Sequence, residues 1–240
     1  MKEIRVDVTD STQTLAKRLS HIIEGDFIVI AKTQYKGYGR YGRKWFSPEG
    51  GLWATLTIRN ISIEKLTMMP MIVGIAAAET LQKYINMHVK LKWPNDLIIG
   101  DKKIGGILCE AEIEEEKVKN MFIGIGVNIN ISERELLKEL KDKATSLMIE
   151  TNKTHNINEI LFEIVNKIYS LMNEKSEKII EKWKAHDYLA GRKVKISLEG
   201  QTLIGRTKIN SDGSLTIITE SGEEYRLYSN RIERVDILNS

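Results

Sequence analysis

The chain has 240 residues, 42% of them hydrophobic and 29% charged, with a formal net charge of +3. That length holds one large domain, or one domain with a small appendage, and buries a core without staples. A single cysteine, Cys109, excludes an internal disulfide, and neither a signal peptide nor an apolar run near the ~20 residues of a membrane span is visible. The expected location is the cytoplasm, with no membrane partner. The mild, dispersed positive charge requires no nucleic acid, although it suits an anionic ligand.

Residues 4–8 alternate apolar and charged side chains, which predicts a short strand. Asp10-Ser11-Thr12 then supplies N-cap side chains to a helix running through Leu15, Leu19 and Ile22. The apolar run 27–31 reads as a buried strand, and 52–58 as another. Pro70 opens a helix carrying Ile72, Ile75, Ala76, Ala78 and Leu81, whose small residues imply close packing. Residues 89–93 read as a strand ending at Pro94. Residues 96–99 and 103–112, around Gly100-Asp101-Lys102, read as a hairpin.

The stretch 118–128 is a further strand with Gly124 and Gly126 at its centre, where close approach of a ligand or backbone is the natural explanation. Helical periodicity covers 157–183, through Ile157, Ile160, Leu161, Ile164, Val165, Ile168, Leu171 and Met172. After about residue 188 the pattern changes to short alternating strands, with turns at Glu199-Gly200, Asp212-Gly213 and Ser221-Gly222. This reads as a small β-barrel. The expected fold class is α+β. A mixed sheet flanked by helices fills 1–187, and a small β domain fills 188–240.

Two motifs carry the chemistry. The first is Gly37-Tyr38-Gly39-Arg40-Tyr41-Gly42-Arg43-Lys44-Trp45, followed by Phe46-Ser47-Pro48. Its glycines permit close backbone approach, and its guanidinium groups bind phosphate or carboxylate in a bidentate way. Trp45 adds a flat surface for a base or ring. The loop is neither a Walker A sequence nor a dinucleotide fingerprint. The second motif is Lys92-Trp93-Pro94-Asn95-Asp96, followed by Lys103-Ile104-Gly105-Gly106. An Asn-Asp pair is commonly only a turn cap, and a lysine is commonly a solvated charge. Asp96 could alternatively orient a cation or Mg²⁺ beside phosphates, and Lys103 could return across the hairpin to the same pocket. Asn128 and Asn130 are either turn residues or readers of an adenine edge. Cys109, set among apolar residues, reads as a small hydrophobe and not as a nucleophile.

In this order the two motifs resemble those of the biotin protein ligases (biotin–[acetyl-CoA-carboxylase] ligases). The likeness runs from Asp10-Ser11-Thr12 through Gln34, the two motifs and Gly124-Ile125-Gly126-Val127-Asn128-Ile129-Asn130. It covers nearly the whole chain. It implies a class II synthetase-like catalytic domain with an SH3-like barrel behind it. It also implies ATP and biotin as substrates with Mg²⁺, and a biotin carboxyl carrier protein of a carboxylase as partner. By this resemblance Lys103, Arg40 and Asp96 are the catalytic residues. Lys103 lies between the biotin carboxylate and the α-phosphate, and Arg40 reaches the same oxygens. Asp96 and Asn95 support the phosphate and metal region or orient the attacking amine. Ser11, Thr12, Gln34, Gly37, Tyr38 and Gly106 belong to the biotin site. Arg43, Trp45 and Asn128 belong to the adenylate site. The metal ligands are left open, and a homodimer through an exposed sheet edge is possible.

Tyr38 departs from the resemblance, because many members carry arginine there. A phenol donates a hydrogen bond but brings no charge. Only ten residues precede Ser11, too few for a DNA-binding domain of roughly sixty residues, so operator binding is not expected. Other readings are a lipoate–protein ligase, a binding-only relative of the ligases, and a nucleic-acid-binding module.

Overall fold

The structure, a computed structural model, describes residues 1–198 and 200–238. Seven strands form the first sheet: β1 (Lys2–Thr9), β2 (Phe27–Gln34), β3 (Leu52–Ile61), β4 (Val89–Lys92), β5 (Asp96–Ile99), β6 (Lys102–Glu114) and β7 (Lys117–Val127). Their order is β1-β2-β3-β7-β6-β5-β4. Only β1 and β2 pair in parallel, and helix α1 (Thr12–Leu19) connects them. The other pairs are antiparallel, so the sheet is mixed.

Alternation along the strands sends side chains to two different layers. Phe27, Val29 and Phe122 pack with Ala16 and Ile23 under α1. Ile28, Leu56, Ile123 and Ile125 belong to the main core on the opposite face. There α2 (Met69–Leu81), α5 (Ile157–Met172) and α6 (Ser176–His186) cover the sheet. Helix α2 is buried nearly all round, which its small residues permit. The predicted helix of 157–183 is two helices. Lys175 has extended backbone (φ −71°, ψ 149°), and α6 then turns back over α2 and β4.

Residues 129–156 show little period, yet they form α3 (Glu133–Leu140) and α4 (Leu147–Thr151). Both are made by their caps. Ser132 and Glu135 form a capping box. Ser146, fully buried, accepts from Ile149 N and donates to Ile131 O at 2.7 Å.

A second, antiparallel sheet holds β8 (Lys193–Leu198), β9 (Gln201–Ile209), β10 (Leu215–Thr219), β11 (Glu224–Leu227) and β12 (Arg234–Ile237), in the order β11-β10-β9-β8-β12. Gly213 and Gly222 occupy the left-handed region at the expected turns. Of the turn expected at Glu199-Gly200, Glu199 lies outside the described residues. Val194, Ile196, Ile209 and Leu215 join the main core without a break, and Trp93 Nε1 donates to Gly213 O at 3.2 Å. The second sheet therefore stands as a wall beside the β4–β5 turn. No helix among the described residues is long and apolar enough to cross a membrane.

Ser146→Ala removes two buried hydrogen bonds, and a loss of about 2 kcal/mol in urea unfolding is expected. An unchanged midpoint would show that the segment is held by packing alone.

Candidate active site

Register builds a pocket floor out of glycines. Residues directly opposite in an antiparallel pair share a face. Trp53 faces Gly126, Gly126 faces Gly106, and Gly106 faces Asp96, so one row crosses β3, β7, β6 and β5. Thr55, Gly124 and Leu108 make the next row, and Thr57, Phe122 and Glu110 a third. A cavity of about 950 Å³ stands over this floor, near the upper end for small-ligand sites, roughly 300–1,000 Å³.

The bare backbone is filled by an indole. A Cβ on Gly126 would meet Trp45 Nε1 at 2.9 Å, and one on Gly106 would meet its six-membered ring at 3.2 Å. Trp45 meets Trp53 edge-on with centroids 6.5 Å apart, and Lys103 Nζ stands 4.9 Å from the Trp45 ring centroid. The Trp45 N–H is buried with no hydrogen-bond partner among the described residues, a state that costs about 1–3 kcal/mol. A ligand offering an acceptor at this point would relieve that cost.

The charges lie at one end. Lys103 Nζ pairs with Asp96 Oδ1 at 2.6 Å, and both side chains are about one-third exposed or less. Burial pulls the Lys92 ammonium below its ordinary range, against the pull of Asp96 and Asp236. Burial likewise lowers the Arg40 guanidinium, which stays charged because its ordinary value is so high.

The other end is polar and uncharged. Ser11 caps α1 through Gln13 N. Gln34 Oε1 accepts from Thr12 N at 2.7 Å and Thr12 Oγ1 at 3.1 Å, while its Nε2 donates to Ser47 Oγ at 2.8 Å. Thr55 Oγ1 lies 2.9 Å from Thr12 Oγ1 and 3.0 Å from Gln13 Oε1. The result is a relay of hydroxyl and amide groups, buried at Ser11, Thr12, Gln13, Ser47 and Thr55 and half-buried at Gln34.

The glycine–arginine loop closes the cavity. Gly39 N donates to Arg43 O and Trp45 N to Gly37 O, with Tyr41 and Gly42 left-handed at the tip. The tip is fastened to the segment between β11 and β12. Arg40 Nη2 donates to the carbonyls of Ser229 and Ile232, Tyr41 OH donates to Asn230 O, and Arg43 Nη2 donates to Glu233 O.

Ser11, Thr12, Gln34, Tyr38, Arg40, Arg43, Trp45, Asn95, Asp96, Lys103, Gly106 and Asn128 all line this one cavity. Gly37 does not. A Cβ there would meet Ser47 Oγ at 2.7 Å and Trp45 O at 2.9 Å, so its bare backbone lets the loop close on itself. Two amides spend their donors on backbone: Asn95 Nδ2 on Ile107 O at 3.1 Å and Asn128 Nδ2 on Thr145 O at 2.9 Å. Gln13, Thr55 and Lys92 also line the cavity. Gln13 was signalled only by its place beside Ser11-Thr12, and Thr55 only as a polar break in an apolar strand. The wall from Ile232 to Asp236 carries no local signal, because tertiary packing brings it there. Burial pushes the Cys109 thiol up, in keeping with a packing role.

Comparison with known proteins shows the family of this chain. The sequence model of the biotin/lipoate A/B protein ligase family matches residues 6–128. The bifunctional ligase/repressor BirA of Bacillus subtilis is 31% identical over 236 residues, covering 95% of this chain and 72% of that protein. A biotin–[acetyl-CoA-carboxylase] ligase of Paracoccus denitrificans is 32% identical over 124 residues, 50% of this chain and 52% of that one. The structure of the biotin protein ligase of Aquifex aeolicus in complex with biotin and ATP matches with a TM-score of 0.81 at 28% identity, covering 99% of both chains. The chain belongs to the biotin/lipoate A/B protein ligase family, and its fold is that of the biotin protein ligases within it.

Gly126→Ala is expected to lift Trp45 off the floor. Acrylamide should quench tryptophan fluorescence more strongly in this variant, and the increase should vanish in a Trp45→Phe background. Equal quenching would mean that the indole does not rest on Gly126.

Proposed function

We propose that the chain is an ATP-dependent biotin protein ligase that acts on a lysine of a biotin carboxyl carrier protein. The observation that carries this reading is the two-ended cavity. Polar, uncharged groups stand at one end, cations stand at the other, and an indole lies on bare backbone between them. Biotin has a neutral ureido ring at one end and a carboxylate at the other, and the cavity is graded in the same way.

In the first half-reaction a biotin carboxylate oxygen bonds to the α-phosphorus of ATP. The bond to the β-phosphate oxygen breaks, and pyrophosphate leaves with the electron pair. Two anions must approach each other, so fixed cations are needed where charge gathers. Lys103 is the group for this task, held in place by Asp96 at 2.6 Å. Arg40 adds a second fixed charge. The guanidinium has five N–H donors, and its bonds to the carbonyls of Ser229 and Ile232 both leave from Nη2. Ser11, Thr12, Gln13, Gln34 and Thr55 suit the ureido ring. Trp45 and Asn128 bound the adenylate.

Magnesium bound with the nucleotide would offset phosphate charge. It is usually held by one or two carboxylates and phosphate oxygens. Asp96 fits that part, and no cluster of three or more metal-ligating side chains occurs among the described residues.

In the second half-reaction the carrier lysine attacks the acyl carbon. The carbon–oxygen bond to AMP breaks, AMP leaves, and the amine proton is lost. A loop closed over the intermediate keeps water away until then.

Incubation with biotin, MgATP and an isolated carrier domain should add one biotinyl group to one carrier lysine, read by intact-protein mass spectrometry. An unmodified carrier, with folded ligase, would reject the transfer half. Lys103→Ala should slow adenylation by about 10²–10³-fold with biotin affinity less affected. Unchanged turnover would remove Lys103 from this role. Arg40→Ala should slow adenylation and speed loss of the intermediate. Leakage at the unaltered level would refute closure by that residue.

A further inference from the structure

Tyr38 lines the cavity, but its hydroxyl is engaged outside the charged end. It donates to Glu110 Oε2 at 3.2 Å. Glu110 lies on β6 in the third row of the floor, opposite Phe122. Its other oxygen, Oε1, pairs with Lys17 Nζ of α1 at 2.8 Å. Three elements therefore meet at one carboxylate: the loop, the sheet and the helix whose N-terminus carries the polar relay.

The position of Tyr38 gives this contact leverage. Tyr38 is bridged to Lys44 across the loop, so a bond at its hydroxyl fixes both limbs. The tip is fastened separately, by Arg40, Tyr41 and Arg43, to the C-terminal segment. A hydrogen bond to an ionised acceptor is stronger than a neutral one. Lys17, paired with the other oxygen, turns the carboxylate toward the phenol. Burial, with Glu110 beside it, raises the Tyr38 hydroxyl above its ordinary value, so it remains a donor.

We propose that Lys17, Glu110 and Tyr38 form a tether that holds the glycine–arginine loop down over the cavity, which makes Lys17 and Glu110 positioning residues for the ligase reaction. Neither touches the substrates. They act on the lifetime of the acyl-adenylate, because the loop is what stands between that mixed anhydride and water. The inference rests on the function proposed above.

The test uses the full chain with biotin and MgATP and no carrier. Two quantities are read: the initial ATP–pyrophosphate exchange rate, and the half-life of bound acyl-adenylate after rapid gel filtration. Glu110→Ala should leave exchange within about twofold of the unaltered protein and shorten the half-life about fivefold, the factor for one net hydrogen bond. Lys17→Met should act in the same direction. Glu110→Gln keeps an acceptor for the phenol and should restore much of the lifetime. In a Tyr38→Phe background, Glu110→Ala should have no further effect on the half-life, because the two act through one bond. A merely structural role would give additive losses and no such rescue. Should Glu110→Ala fail to fold, the half-life is read instead on Lys17→Met, expected to be shortened, and on Glu110→Gln, expected to stay near the unaltered value. Normal exchange with unaltered lifetimes, or additive effects, would overturn the tether alone. No exchange with biotin in the unaltered protein would overturn the proposed function, and the tether with it.

Discussion

The cavity depends on the absence of side chains from the middle of a sheet. Gly106, Gly124 and Gly126 fall on one face of adjacent strands because of the β6–β7 register, and the lack of Cβ atoms lets an indole and an amide lie where a sheet normally carries its own packing. Glycine weakens a strand. These strands tolerate it because β7 is central, with β3 and β6 on either side, and its opposite face is filled by Ile123 and Ile125. The stability of the main core thus offsets a floor that contributes little of its own.

Above that floor the problem is electrostatic. To join a carboxylate to a phosphate, as proposed, the site would need cations that neither drift nor lose their charge. Lys103 is steadied by Asp96 on the neighbouring strand and by the face of Trp45. Arg40 is steadied by backbone carbonyls of the segment between β11 and β12. The second sheet is therefore part of the cavity in a physical sense: it anchors the loop tip and supplies one wall. The same loop is held at its other limb by Tyr38 and Glu110. Uncharged residue 38 in a loop otherwise rich in cations is thereby accounted for as a structural contact.

Much of this was legible in the sequence because local patterns reflect local forces. Alternation at 4–8 and the apolar run 27–31 mark strands found as Lys2–Thr9 and Phe27–Gln34. The glycines of 124–126 signalled close approach, and the approaching groups are the Gln13 amide at Gly124 and Trp45 at Gly126. What was not legible depends on contacts distant in sequence. Ser146 makes a helix by bonding Ile131 and Ile149, which no period reveals. The break at Lys175 is invisible because Ile179, Ile180 and Trp183 keep the apolar period on the far side of it. Arg40 and Arg43 look like free anion binders in sequence, yet carbonyls some 190 residues away engage them. Asn95 and Asn128 carry the ambiguity of all amides, since their donors serve either a ligand or the backbone, and here the backbone takes them.

The central claim is that the graded cavity activates biotin, and ATP–pyrophosphate exchange tests it most directly. The protein is given MgATP with biotin, with lipoate, and with neither acid. Exchange with biotin alone is the expected result, because the neutral relay of Thr12, Gln13, Gln34 and Thr55 matches a ureido ring. Exchange with lipoate alone would contradict the assignment and place the chain with the lipoate ligases of its family. Exchange with neither acid, in folded protein, would mean that the cavity binds without activating.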